Sequence, residues 1–211
     1  MNVDPTFFVS GTVLGLAAGC SPGPLTTLVI TETLRHKLSG GVKIAISPLI
    51  TDLPIILATL LVLSQFTDVK PVLGIISFAG AALVGYFAYE SFTTRETEAS
   101  APSQERPRSI RKGVAANFLN PNPYMFWMSV GSPILLKAIH SDGLSAALFL
   151  VSFYICIVGS KIAIALLVAR FSTFLKSRFY LYTLRTLGTA LAVFALIFIK
   201  NGLELFGLLP A

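Results

Sequence analysis

Charged side chains are scarce in this sequence of 211 residues: Asp, Glu, Lys and Arg make up 12% of it, about half the share of an ordinary soluble domain. Hydrophobic residues make up 54%, and they come in long blocks rather than alternating with polar ones. This pattern excludes an ordinary soluble domain and is typical of an integral membrane protein in a lipid bilayer. The net charge of +6 does not indicate a nucleic-acid partner, because the basic residues lie between the apolar blocks.

Cysteine and histidine are also scarce, with two residues of each. Cys20 and Cys156 lie inside apolar blocks, so we interpret them as small buried residues. His36 and His140 lie in predicted connections, so the sequence has no cluster of metal ligands, and we predict neither a metal nor another cofactor. Because the amino terminus lacks a basic segment and the following apolar run is too long, we predict no cleaved signal peptide. The protein is predicted not to be an enzyme.

Six apolar segments have about the length needed to span roughly 30 Å of hydrocarbon at 1.5 Å per residue. The predicted fold class is therefore an all-α integral membrane protein with six transmembrane helices. The segments are residues 7–34, 41–63, 71–92, 113–136, 144–171 and 182–199.

The connections between these segments differ in charge. Lys and Arg are concentrated in the first, third and fifth connections and are sparse in the others. By the positive-inside bias these three connections face the cytoplasm and both termini lie outside, in a multi-pass protein of the cell membrane. The third connection, residues 93–112, is rich in Ser, Pro and charge and is predicted to be a mobile cytoplasmic loop.

The two halves of the chain share an internal repeat. AAGCSPGPLTTLVI in the first segment corresponds to AANFLNPNPYMFWMS in the fourth, and FAGAALVGYFAYESF in the third corresponds to TLGTALAVFALIFIKNG in the sixth. Because each copy has three segments, the second copy, residues 113–211, would be inverted relative to the first, residues 1–92. Inverted repeats with helices broken at corresponding positions are typical of secondary transporters.

Proline motifs, SPGP and NPNP, interrupt the first and fourth segments. Proline removes a backbone donor and leaves carbonyls that hydrocarbon cannot satisfy, so such a break needs cover from protein, water or a solute. A new half-helix begins past each break, with its N–H groups directed at the gap. Two such ends facing one cavity predict a carboxylate site; the alternative is a pair of kinks that only shape packing. The candidate binding residues at the breaks are Pro22, Gly23, Pro24, Asn117, Asn120, Pro121 and Asn122.

Two charged residues, Asp52 and Lys161, lie deep inside apolar segments. Each is nine residues from a basic residue at a predicted cytoplasmic end, or about 13 Å into the membrane. Because an unpaired charge costs roughly 2.5–3.5 kcal/mol there, we predict that the two pair, directly or through a solute. They form either a structural salt bridge or a binding site. In such a site Asp52 holds an ammonium or a proton, and Lys161 holds a carboxylate or serves as counter-ion. Glu32 and Glu90 are predicted to lie at helix ends in contact with water.

The chain resembles the LysE-type translocators, the lysine and threonine/homoserine exporter family, over essentially its whole length. The resemblance rests on SPGPLTTLVITETLRHKLSGGVKIAISPLITDLPIILATLLVL and on IRKGVAANFLNPNPYMFW. It implies six membrane helices, secondary-active export of amino acids or similar small metabolites, and homodimers. The chain departs from the family pattern in having Asn122 where a basic residue is common and Lys161 in the fifth helix. The family's motif positions map to Pro22, Gly23, Pro24, Asp52, Asn120 and Pro121.

The predicted function is export of an amino acid or a similar zwitterionic solute, with proton coupling left open. Two alternatives from other classes remain. An inorganic-ion permease is disfavoured by the single membrane carboxylate and the absence of a His or Cys ligand cluster. A membrane thiol–disulfide relay needs two thiols that meet, but Phe118 and Leu119 precede the second break where Cys20 precedes the first.

The orientation can be tested with single cysteines at Ser103 and Ser141, in a background without Cys20 and Cys156. If loop charge sets orientation, Ser103→Cys reacts in intact cells only with membrane-permeant thiol reagents, whereas Ser141→Cys also reacts with impermeant ones. Labelling after cell lysis is the control for access to each thiol. The reverse pattern would show that the predicted orientation is inverted.

Overall fold

A computed structural model of the chain describes residues 5–65, 70–93, 108–172 and 177–209. All regular secondary structure in these ranges is helical. The elements are α1 (Pro5–Cys20), α2 (Pro24–Ala45), α3 (Ser47–Gln65), α4 (Lys70–Thr93), α5 (Ser109–Phe118), α6 (Pro121–Phe126), a π-helical turn (Trp127–Gly131), α7 (Ser132–Ser141), α8 (Gly143–Ser172) and α9 (Ser177–Leu205).

Four stretches within the described ranges are long and apolar enough to cross a membrane: Pro24–Leu61, Lys70–Thr93, Gly143–Phe171 and Leu181–Leu205. The prediction of an α-helical, multi-pass membrane protein is thereby confirmed. The first stretch has 38 residues, which as one straight helix would measure about 57 Å, nearly twice the thickness of hydrocarbon. Six spans arranged as two inverted repeats remain a prediction.

The first of these stretches is not straight, because α2 turns back at His36 and Lys37. Both residues have non-helical backbone angles, and Lys37, with φ 59° and ψ −166°, lies in a region that side-chain-bearing residues rarely adopt. Past the turn, a methyl group added to Gly40 would lie 2.5 Å from the carbonyl oxygen of Glu32. Eight residues along a straight helix would separate these two by about 12 Å. The reversal falls in the predicted first connection, between residues 34 and 41.

Both predicted helix breaks are present. Helix α1 ends at Cys20 and α2 begins at Pro24, while α5 ends at Phe118 and α6 begins at Pro121. The start of the fourth segment differs from the prediction: α5 begins at Ser109, four residues before the predicted boundary, so the end of the predicted loop 93–112 is helical. Its first turn makes buried polar contacts with α2, described below, which order it. Residues 94–107, predicted to be mobile, lie outside the described residues.

Glycines bring α1 and α8 into backbone contact. Gly11, Gly15 and Gly19 follow one another at intervals of four and are the buried residues of α1, so they form one face of that helix. A methyl group at Gly15 would lie 2.4 Å from the carbonyl oxygen of Phe153 in α8. Small residues at this spacing are the usual means by which membrane helices approach closely. The contact fixes α8 against the end of α1 that leads into the first break.

Two buried apolar clusters lie on opposite sides of the breaks. One cluster includes Leu28 and Val29, which follow the first break, and Ala116, which precedes the second break. The other cluster includes Trp127, which follows the second break, and Phe153, which is in the first half of α8. By the predicted orientation, the first cluster is on the cytoplasmic side. The level of the breaks, where the candidate binding residues lie, therefore falls between the two clusters.

Substituting Gly15 tests the α1–α8 contact. In Gly15→Leu the added side chain meets the Phe153 carbonyl, and we expect a loss of at least about 1–3 kcal/mol of stability, seen as a lower melting temperature in detergent. The matched control is Gly159→Leu on α8, because a side chain there meets nothing within 4 Å. Equal melting temperatures for the two variants would show that the glycine face is not needed for packing.

Candidate functional site

A cavity of about 180 Å³ lies where the two breaks meet α3 and α8. It is smaller than the roughly 300–1,000 Å³ of sites that take drug-sized ligands, so its size fits a small metabolite. Of the predicted site residues only Pro121 is outside the lining; it is buried at the start of α6. The predicted residues that line the cavity are Pro22, Gly23, Pro24, Asp52, Asn117, Asn120, Asn122 and Lys161.

The first break leaves backbone amides open to this cavity. Gly23 has extended backbone angles, precedes the first residue of α2 and provides no side-chain cap. In the first turn of a helix the N–H groups have no partner within the helix, and Pro24 has none to offer. The amides of Leu25 and Thr26 are therefore the open donors, and both residues line the cavity.

The second break is closed by its own residues. Asn120 caps α6, since its Oδ1 accepts a hydrogen bond from the backbone N–H of Asn122 at 3.0 Å. The two neighbouring positions, Pro121 and Pro123, have no N–H. The first turn of α6 thus has no free amide, and the expectation that both half-helices present N–H groups to the cavity is wrong for the second one.

Asp52 is buried, with 3% of its surface exposed, and neutral donors hold its carboxylate. Oδ1 accepts from Asn117 Nδ2 at 2.9 Å, and Oδ2 lies 3.4 Å from the hydroxyl of Tyr154, which donates to it. The indole of Trp127 lies near this carboxylate. Asp52 forms no ion pair within 4 Å with any residue of the described ranges, so a carboxylate at membrane depth has no counter-ion among these residues.

Lys161 is equally buried and lies against the first break. Its Nζ donates to Thr26 Oγ1 at 2.9 Å and to the carbonyl oxygen of Gly19 at 3.3 Å, so it contacts both sides of the break. The direct salt bridge between Asp52 and Lys161, one of the two predicted alternatives, is not formed in the structure. Both side chains nevertheless line the same cavity, so pairing through a solute stays a prediction.

The cavity has an aromatic wall that the sequence did not indicate. The rings of Phe126 and Phe153 stack with their centroids 5.4 Å apart, and the indole of Trp127 meets Phe153 edge-on at 5.4 Å. Tyr154 is a polar site residue that was not predicted but could have been. It precedes Lys161 by seven residues, which places both on one face of a helix. The rings come from two distant segments, so no local pattern could have brought them together.

A family model described as LysE type translocator matches residues 16–202. The chain belongs to the LysE type translocator family. The resemblance seen in the sequence is thereby confirmed, and the protein is a membrane exporter of amino acids or similar small solutes rather than an enzyme. No curated protein and no solved structure shows significant similarity to the chain.

The cysteines of this translocator differ from the prediction. Cys20 is exposed on the single chain and Cys156 is partly exposed, and both are free thiols. Cys20 lies at the end of α1, where the helix stops and packing around it ends. Among the residues that the structure describes, no three His, Cys, Asp or Glu side chains lie close enough together to hold a metal ion.

A second group of charges, which we call the Glu32 cluster, consists of Glu32, Arg35, Glu90, Ser109 and Lys112. Glu32 is 1% exposed, so its predicted contact with water is wrong. It accepts from Ser109 Oγ at 2.5 Å and from Lys112 Nζ at 3.1 Å. Lys112 also reaches Glu90 at 2.8 Å, and Arg35 lies 2.6 Å from the same carboxylate. The cluster joins α2, α4 and α5 on the predicted cytoplasmic side of the translocator.

Removing one charge of the Glu32 cluster tests its part in stability. Lys112→Met leaves the buried Glu32 carboxylate without its ammonium, and we expect a loss of about 3–5 kcal/mol, measured as thermal stability in detergent. The control is Lys200→Met, whose exposed pair with Glu204 is worth at most about 1 kcal/mol. Adding Glu32→Gln to Lys112→Met should restore most of the stability. A Lys112→Met protein as stable as the Lys200 variant would contradict the buried pairing.

Proposed function

We propose that this translocator exports a zwitterionic amino acid, or a close chemical relative, by secondary-active transport through the cavity at the two breaks. One observation carries the proposal: Asp52 and Lys161, of opposite charge and each 3% exposed, line one cavity without bonding to each other. A solute with an ammonium and a carboxylate group would satisfy both charges at once. A neutral or singly charged solute would leave at least one of them without a counter-ion, at a cost of several kcal/mol.

The carboxylate of the solute would bind at the first break. Three donors converge there: the amides of Leu25 and Thr26 at the positive end of a half-helix and the ammonium of Lys161, which is held by Thr26 Oγ1. Helix N-termini favour anions because their unpaired N–H groups and the helix dipole act together. A methyl group added to Gly23 would meet nothing within 4 Å, so there is free space directly beside these donors.

The ammonium of the solute would bind at Asp52. Its carboxylate is kept in place by hydrogen bonds from Asn117 and Tyr154, and these neutral donors orient it without neutralising it. When the solute leaves, a proton is the simplest replacement for the ammonium at this carboxylate. We therefore propose that Asp52 exchanges substrate for a proton, which would couple export to the proton gradient.

The Glu32 cluster would close the cytoplasmic side of the cavity. Lys112 and Ser109 in α5 bind Glu32 in α2, so these contacts hold the start of the fourth segment against the first. A substrate from the cytoplasm could enter only after such contacts part. We propose that the cluster separates in the inward-open state, within a six-helix inverted-repeat fold in the cell membrane with both termini outside, and that the protein forms homodimers.

Single and double charge substitutions test the binding roles. We expect Asp52→Asn and Lys161→Met each to lower efflux from proteoliposomes by at least about 30-fold, the factor that corresponds to losing roughly 2 kcal/mol of a buried charge contact. Efflux is measured for a panel of amino acids, with and without a pH gradient, and thermal stability is measured in parallel.

The double variant, Asp52→Asn with Lys161→Met, separates binding from structure. It should fold, because no charge is left without a counter-ion, yet remain inactive, because both contacts to the solute are gone. Lys200→Met controls for the loss of a charge far from the cavity. A double variant that transports well would remove both residues from the proposed site.

A further inference from the structure

The charges around the cavity are few enough to limit its substrate. Within the described chain, Asp52 and Lys161 are the only acidic and basic side chains that line it. In the proposed function, on which this inference rests, both are used by the ammonium and carboxylate groups that every amino acid has. A substrate with a further charge on its side chain would bring that charge into the cavity without a counter-ion, which is strongly unfavourable away from water.

The position of the apolar wall indicates where the substrate side chain lies. Phe153, Ile157 and Lys161 follow one another at intervals of four on α8, so they share one face of that helix. Ile157 lies about 6 Å and Phe153 about 12 Å along the axis from Lys161. Phe126, which follows the second break in α6, stacks on Phe153. A substrate whose carboxylate is at Lys161 would extend along apolar surface.

Two asparagine side chains that line the cavity are engaged with other groups of the protein. Asn117 Nδ2 donates to Thr51 at 2.6 Å and to Asp52 at 2.9 Å, and Asn120 Oδ1 caps α6. Neither a carboxylate to hold a basic side chain nor a second cation to hold an acidic one is present among the described lining residues. The apolar wall formed by Phe126, Phe153 and Ile157 therefore suits an apolar substrate side chain.

We propose that the cavity selects amino acids with neutral, apolar side chains of moderate size, such as leucine or methionine, and rejects amino acids with charged side chains, lysine and glutamate included. The selectivity comes from charge count and from the wall formed by Phe126, Phe153 and Ile157. The size limit comes from the cavity, which measures about 180 Å³.

Trp127 allows binding to be measured without transport. It is the only tryptophan of the chain and it lines the cavity together with Asp52, so its fluorescence should respond to a solute at that carboxylate. Purified protein in nanodiscs is titrated with leucine, methionine, lysine and glutamate. We expect a saturable change with leucine and methionine, at least about 50-fold weaker binding of lysine and glutamate, as the cost of one unpaired charge implies, and no response in Asp52→Asn.

A variant pair tests the wall itself. Ile157→Asp places a carboxylate one helical turn from Lys161, and it should weaken leucine binding and introduce lysine binding. Ile157→Asn is the matched control, because asparagine has the shape of aspartate and is polar but uncharged. This variant should weaken leucine binding without allowing lysine to bind.

The outcomes distinguish this inference from the proposed function. If the unmodified protein binds lysine or glutamate as tightly as leucine, the selectivity is overturned, while a zwitterion site stays supported. If no amino acid of any class changes the fluorescence or is exchanged in proteoliposomes, the proposed function fails, and the selectivity fails with it. Leucine-selective binding that Ile157→Asn and Ile157→Asp alter equally would overturn the argument from charge count.

Discussion

In the hydrocarbon of a membrane, every backbone N–H and C=O group and every charge must find a partner inside the protein or in what the protein binds. The two proline breaks meet this constraint differently. At the second break, the Asn120 side chain accepts a hydrogen bond from the amide of Asn122. The positions on either side of Asn122 are prolines, which have no N–H that needs a partner. At the first, Leu25 and Thr26, whose amides have no partner within the helix, line a cavity. We propose that the site of this translocator lies at the first break, where a bound solute would provide the partners that the chain does not.

The rest of the fold keeps that place fixed. The glycine face of α1 brings α8 into backbone contact, as at Gly15, and so sets Lys161 beside the carbonyl of Gly19 at the end of the same helix. A larger residue on that face would move the ammonium away from the break. The Glu32 cluster holds the other side, where α5 binds α2 through Lys112. Close helix packing thus places the Lys161 ammonium at the first break, a position that the local sequence does not predict.

Sequence patterns predicted what depends on local chemistry. Helix breaks follow from proline itself, and the fifth segment, predicted at 144–171, agrees with α8 (Gly143–Ser172) because apolar length is a property of the run. The cap at Asn120 was also predictable in principle, since Asn is a preferred N-cap residue. The burial of Glu32 was not, because its partners lie 77 and 80 residues further along the chain. The absence of an Asp52–Lys161 bond was equally unpredictable, because equal depth in a membrane does not fix the distance between two helices.

The two breaks would be equivalent in a symmetric pair of repeats, but the substrate that we propose has no such symmetry. An amino acid has a negative end and a positive end, and a site made of two identical halves would match only one of them. In this chain the first break has open amides with Lys161 beside them, while the second has a capped helix with Asn117 donating to Asp52. Under the proposed function, the sequence differences between the predicted repeats lie where a dipolar solute requires them, and the apolar wall would determine which side chain fits.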